Sequence, residues 1–188
     1  MPPRVKITKE EIVSAALELV RTQGAQAVNA RTLAAVLQCS TQPVFSNFAT
    51  MDALQEATAA AAYDIYLDFL KREADSGKYP QYKSFGMAYI RFAKEEKELF
   101  KLLFMRDRTG EKMSPSPDFE SSVGIIMEAN GITREKAELM HLEMWTCVHG
   151  IGTMLVTSFL PLDFALVSDM LTDIYLGIRA RHTGEGAK

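Results

Sequence analysis

The sequence predicts an all-α fold of about nine helices, and three observations predict it. Apolar residues recur three and four positions apart along most of the 188 residues. No segment alternates with period two, and Asn130-Gly131 ends a helix-spaced stretch instead of joining two alternating runs. Residues that cap helix N-termini stand before the apolar stripes, with glycine or proline breaks after several of them.

Thr8 can cap a first helix whose stripe is Ile12, Ala15, Ala16, Leu19 and Val20, and Gly24 suits a left-handed C-cap. Asn29 opens a second, short helix carrying Leu33, Ala34, Val36 and Leu37. A third starts after Ser40 and runs over Thr41–Phe48, with Val44 and Phe48 on one face. Thr50 caps a long helix through Leu54, Ala57, Ala61, Ile65, Phe69 and Leu70, which the Gly77–Pro80 break ends. Further helices fit Tyr82–Lys94, Glu95–Met105 and Asp118–Ala129, with a polar loop over Arg106–Pro117. Thr133 opens the longest helix, to about Phe159, and Asp163 caps the last one. The division expected is a head at 1–50, a larger helical domain at 51–183 and a flexible tail at 184–188.

Composition narrows the class. At 47% hydrophobic residues the chain can bury a core without disulfides, so Cys39 and Cys147 read as free thiols of a cytoplasmic protein. The apolar stretch from Leu139 to Leu162 contains His141, Glu143 and His149, which a lipid-spanning helix would have to desolvate; no membrane partner is expected. The net charge is −3, yet residues 1–50 hold Arg4, Lys6, Lys9, Arg21 and Arg31 against only Glu10, Glu11 and Glu18. That asymmetry agrees with a head facing nucleic acid.

The second and third helices are joined by a few residues, and the second is too short to persist alone, so the pair must pack on the first. With Val44 and Phe48 inward, Gln42, Ser46 and Asn47 point out. Glutamine and asparagine can make bidentate contacts to adenine, and serine can donate or accept. Ser40 and Arg31, at the starts of their helices, suit phosphate positioning. Pro43 is tolerated in a first turn, where N–H groups have no intrahelical partner.

The run Ile7-Thr8, Ile12, Ala15-Ala16-Leu17-Glu18-Leu19, Gly24, Leu33-Ala34, Ser40, Val44-Phe45 and Phe48 resembles the DNA-binding domain of TetR-type transcriptional regulators over residues 7–60. The resemblance implies an all-helical homodimer with a helix-turn-helix head and a ligand-responsive C-terminal domain. It implies a near-palindromic double-stranded operator, held by Arg4, Lys6, Arg31, Thr32, Ser40, Thr41, Gln42, Pro43, Phe45, Ser46 and Asn47. Three residues depart from the family pattern. Gln38 stands where glycine is frequent, at a cost of about 1 kcal/mol if its backbone is left-handed. Phe45 replaces a tyrosine and Met51 a lysine, each removing a phosphate contact.

Glu98–Met105, with Trp145 and His149-Gly150, resembles the TetR subgroup named for a Trp-His-Gly signature. His141, Trp145 and His149 share one helix face, but the histidines lie about 12 Å apart along the axis; no metal and no cofactor are expected. Phe69, Phe85, Met87, Tyr89, Phe92, Phe100, Phe104, Met127, His141, Met144, Trp145 and His149 are the candidate lining of an apolar effector cavity, with a filled core as the alternative. The family pairs its last two helices across a dimer, which implies Gly152, Leu155, Val156, Phe159, Val167, Met170, Leu171, Ile174 and Ile178 as its seam; an intramolecular core is the other reading. Glycines in the long helix suit close approach of a neighbouring helix. The function expected is a ligand-released repressor, ahead of a regulator without an effector. A helical enzyme is disfavoured because none of His141, His149 and His182 falls in a catalytic motif.

Overall fold

The computed structural model describes residues 7–109 and 117–184, so Arg4, Lys6 and most of the expected polar loop lie outside the described residues. The described chain is all-helical, with α1 (Lys9–Gln23), α2 (Ala30–Val36), α3 (Gln42–Asn47), α4 (Met51–Asp75), α5 (Gln81–Glu95), α6 (Lys97–Phe104), α7 (Pro117–Asn130), α8 (Arg134–Val156) and α9 (Phe164–Thr183). A short 3₁₀ turn, Ala25–Ala27, follows α1. No helix of the described residues is long and apolar enough to cross a membrane.

The chain divides into two compact units. The first runs to Leu67 and takes in Glu96–Asp107; the second comprises Asp68–Glu95 and the described residues from Arg108 onward. The first therefore extends well past residue 50. The physical reason is α6, which packs on α1. Arg21 reinforces that pairing with a two-pronged contact to Glu96, Nε and Nη2 each donating over 2.9 Å to one carboxylate oxygen.

Capping residues set the boundaries in the first unit. Thr8 and Glu11 form a reciprocal capping box on α1, and Asn29 and Thr32 do the same on α2. Gly24 ends α1 with φ 83° and ψ 165°, a positive-φ backbone open chiefly to glycine but outside the left-handed helical region expected. Ile12, Ala16, Leu19, Val20, Leu33, Val44, Phe48 and Leu54 form the buried interior. Val36 does not join them: it is 52% exposed, and Leu37 caps the helix end.

In the second unit α5 packs against α7, α8 and α9, which explains why Met87, Ala88, Tyr89, Ile90, Phe92 and Ala93 are all buried. Gly86 is what permits this crowding. A methyl there would sit 3.3 Å from Val148 Cγ2 and 3.5 Å from Leu171 Cδ1. The helix α8 stops at Val156, short of Phe159, because Ser158 turns left-handed at φ 55°. The Ser158 N–H donates to Leu155 C=O and the Phe159 N–H to Met154 C=O, the paired bonds of a Schellman turn.

Candidate functional site: the outer face of the third helix

The turn between α2 and α3 is a second Schellman turn. The Gln38 N–H donates to Ala35 C=O at 3.2 Å and the Cys39 N–H to Ala34 C=O at 2.9 Å. Gln38 takes φ 52°, the left-handed backbone in which glycine is unstrained. The two backbone bonds of the turn, not the strain at Gln38, direct the chain from α2 into α3.

The helix α3 is shorter than the sequence suggests. Thr41 is its N-cap, with no side-chain cap bond, and Phe48 is already extended, leaving Gln42–Asn47. Pro43 falls in the first turn, as its missing N–H requires. Val44 and Phe48 are buried, and Lys9 Nζ lies 5.1 Å above the Phe48 ring.

Facing out are Gln42, Phe45 and Ser46, with Arg31 and Ser40 also exposed and Thr41 half-buried. Phe45 is 53% exposed, an unusual surface position for a phenyl ring.

Several side chains expected to address DNA are engaged within the fold. Asn47 is half-buried, and its amide donates to Pro43 C=O at 2.8 Å and to Ile7 C=O at 3.3 Å. It points inward to tie the start of the described chain to α3, which corrects the outward placement. The Thr32 hydroxyl donates to Ala27 C=O at 2.6 Å and accepts from the Asn29 N–H at 3.2 Å, so it completes the cap of α2. The Ser46 hydroxyl donates to Gln42 C=O at 2.9 Å and retains only acceptor capacity outward.

The residues expected to line an effector cavity are not gathered in one unit. Phe100 and Phe104 belong to the first unit, where their rings pack tilted against each other and Phe104 meets Tyr66 edge to ring. Phe69, Phe85, Met87, Tyr89, Phe92, Met127, His141, Met144, Trp145 and His149 belong to the second. Met87 and Phe92 are core, with Phe69 edge-on to Phe92 at 5.3 Å. Met144 is buried, and Phe85 and Met127 are half-buried. Trp145 is 44% exposed and so lines no enclosed space; its indole stacks on the His149 ring at 5.1 Å. An open depression of about 450 Å³ runs along Lys9, Glu10, Val13, Ser14 and Leu17, and none of the expected lining residues borders it.

Each of the two histidines on α8 pairs with a tyrosine of α5. Tyr82 Oη lies 3.0 Å from His141 Nδ1, and Tyr89 Oη lies 2.8 Å from His149 Nδ1. Two tyrosines seven apart on α5 thus meet two histidines eight apart on α8. Burial lowers the pKa of both histidines, with Asp118 partly opposing this at His141, and burial raises both tyrosines. These directions keep the imidazoles and phenols neutral, and one hydrogen bond joins each phenol oxygen to its Nδ1, its direction set by the imidazole tautomer. Sequence reading noticed the histidines and missed their partners, although the spacing of Tyr82 and Tyr89 was available as a signal. It also missed the pairing of His182 with Glu143 across 2.8 Å, buried near the end of α9. No group of three potential metal-ligating side chains occurs among the described residues.

The expected dimer seam divides. Gly152, Leu155, Val156, Val167 and Leu171 are already buried in the single chain. Met170, Ile174 and Ile178 are half-buried, Ile178 against the Val123, Ile126, Ala137 and Met140 cluster. Phe159 is 78% exposed. The large apolar side chains left outward on the two helices are others: Leu139, Leu142, Trp145 and Met154 on α8, and Leu166 and Leu176 on α9. Gly150 and Gly177 have open space in place of a close neighbour.

No protein-family model matches this sequence, and no curated protein matches it.

Proposed function

We propose that the protein is a sequence-specific DNA-binding transcriptional regulator of the TetR type, acting as a repressor. The observation that carries the reading is the exposed arc of Gln42, Phe45 and Ser46 on α3. That arc belongs to a short helix following a Schellman turn and anchored by buried Val44 and Phe48. Such a helix presents a narrow, rigid edge of the size a major groove admits. Arg31 and the basic residues Arg4 and Lys6 supply phosphate contacts.

A second copy of the chain covers the outward apolar side chains of α8 and α9. Gly150 and Gly177 support this, because helix-interior glycine costs about 1 kcal/mol and nothing within the protomer uses their space. Two heads about one DNA turn apart then address a near-palindromic operator. A small apolar or aromatic ligand that favours another head spacing releases the operator by shifting the population. The alternative, a regulator without a small-molecule effector, is favoured by the complete burial of Met87, Phe92 and Phe100.

The test is a mobility shift on the chain's own upstream region, titrated with salt. Binding is expected to weaken steeply as salt rises while a specific complex persists. Failure of the intact protein to form any specific complex overturns the reading. Replacing Leu142 with Glu is expected to shift sedimentation from dimer to monomer; a monomeric parent protein removes the second copy. A panel of apolar aromatic compounds that neither raises the melting temperature nor releases DNA decides for the alternative.

A further inference from the structure

We propose that Phe45 is a specificity-determining residue that reads the 5-methyl group of thymine, beside an adenine read by Gln42. This rests on the DNA-reading role of α3 and names the base pairs that role selects.

The outward arc of α3 holds three side chains, Gln42, Phe45 and Ser46, because the others are buried or turned aside. Their hydrogen-bonding capacities are unequal. Ser46 has given its proton to the Gln42 carbonyl, and Asn47 has given its amide protons to the Pro43 and Ile7 carbonyls. Gln42 is the one outward amide on this helix. A carboxamide matches adenine, accepting from N6 and donating to N7.

The helix carries no arginine or lysine, so the bidentate contact that singles out guanine is missing from it. Phe45 stands three residues after Gln42, so the two side chains are neighbours on one helix face, about 5–6 Å apart at Cβ. A phenyl ring offers a base edge no hydrogen bond. The apolar group of the major groove that distinguishes one base pair from the others is the thymine methyl. A ring 53% exposed in the free protein gains by covering that methyl, and it cannot gain from a phosphate, which it would desolvate without a partner. The pairing is self-consistent: an adenine read by Gln42 and a thymine read by Phe45 define adjacent A·T pairs.

The experiment has two stages, both with the full chain. Random duplexes are selected for binding, and enriched half-sites are expected to contain adjacent A·T pairs. Each thymine of the selected operator is then replaced by deoxyuridine, which deletes the methyl and keeps the base pairing. One position per half-site is expected to weaken binding about threefold to tenfold, the effect of uncovering roughly one methyl group. Phe45→Ala is expected to weaken the thymine operator similarly and to lose its sensitivity to deoxyuridine, while its far-ultraviolet circular dichroism and melting match the parent.

If deoxyuridine is neutral throughout, or costs Phe45→Ala as much as the parent, the thymine reading is overturned and DNA binding stands. If selection enriches no sequence, the DNA-reading role falls and this inference with it; Phe45 is then a contact for another macromolecule.

Discussion

On α3, Ser46 and Asn47 each donate to the carbonyl four residues back, Asn47 also to Ile7, while Gln42 keeps its amide outward. In the second unit, His141 and His149 find partners on a different helix, about sixty residues away in sequence. Local satisfaction leaves the third helix a surface whose message is an amide and a phenyl ring. Distant satisfaction makes the α5–α8 seam a structural joint whose polar contacts depend on correct packing of both helices. A polar residue near the surface is therefore no guide to what the surface offers; what matters is which of its donors are already engaged.

The strongest way to break the seam is to spoil its closest approach. Gly86→Leu is expected to destabilise the protein by about 2–3 kcal/mol, because the added carbons meet Val148 and Leu171, already at van der Waals distance from a Cβ there. Urea unfolding measures it. A loss below about 0.5 kcal/mol would mean that α5 and α8 are not tightly apposed at that point.

A smaller effect isolates the polar contacts. Tyr82→Phe and Tyr89→Phe should each cost about 1–2 kcal/mol, removing the phenol oxygen that hydrogen bonds to the imidazole Nδ1. The same pairs predict a pH response of defined sign. Burial holds the folded-state pKa of both histidines below the ordinary value of 6.5, so the unfolded chain takes up protons first. Stability is at its full value above about pH 6.5 and falls as pH drops through and below it, towards the lower folded-state values. Asp118 softens the loss at His141. Unfolding free energy measured from pH 8 to 5 should decline less steeply in His149→Phe than in the parent; an identical slope would remove His149 as a contributor.

The helix count, the caps at Thr8, Asn29, Thr50, Thr133 and Asp163, and the inward pair Val44 and Phe48 were legible because they depend on local spacing and capping chemistry. The outward face of α3 was legible only in part. Helical geometry says that Asn47 is near the surface, but its hydrogen bond to Ile7 spans forty residues, and no periodicity encodes it. Which apolar side chains of α8 and α9 face outward was illegible for a related reason. Leu155 and Leu142 are equally apolar, and which of them faces α5, α7 or α9 depends on packing partners, not on composition.

The smallest expected changes are gains, and they separate stability from recognition. Gln38 and Ser158 each hold a positive φ at the left-handed position of a Schellman turn, one in each unit. Replacing either with glycine should stabilise by about 1 kcal/mol, raising the melting temperature by about 2–4 °C. Ser158→Gly serves as the control, since it relieves the same strain at the end of α8. If Gln38 only sets the angle between α2 and α3, Gln38→Gly keeps that angle and changes operator affinity by less than about twofold. A loss of tenfold or more, with the stabilisation realised, would instead place the Gln38 side chain in contact with DNA. Strain at this turn would then be the cost of keeping a functional amide beside the recognition helix.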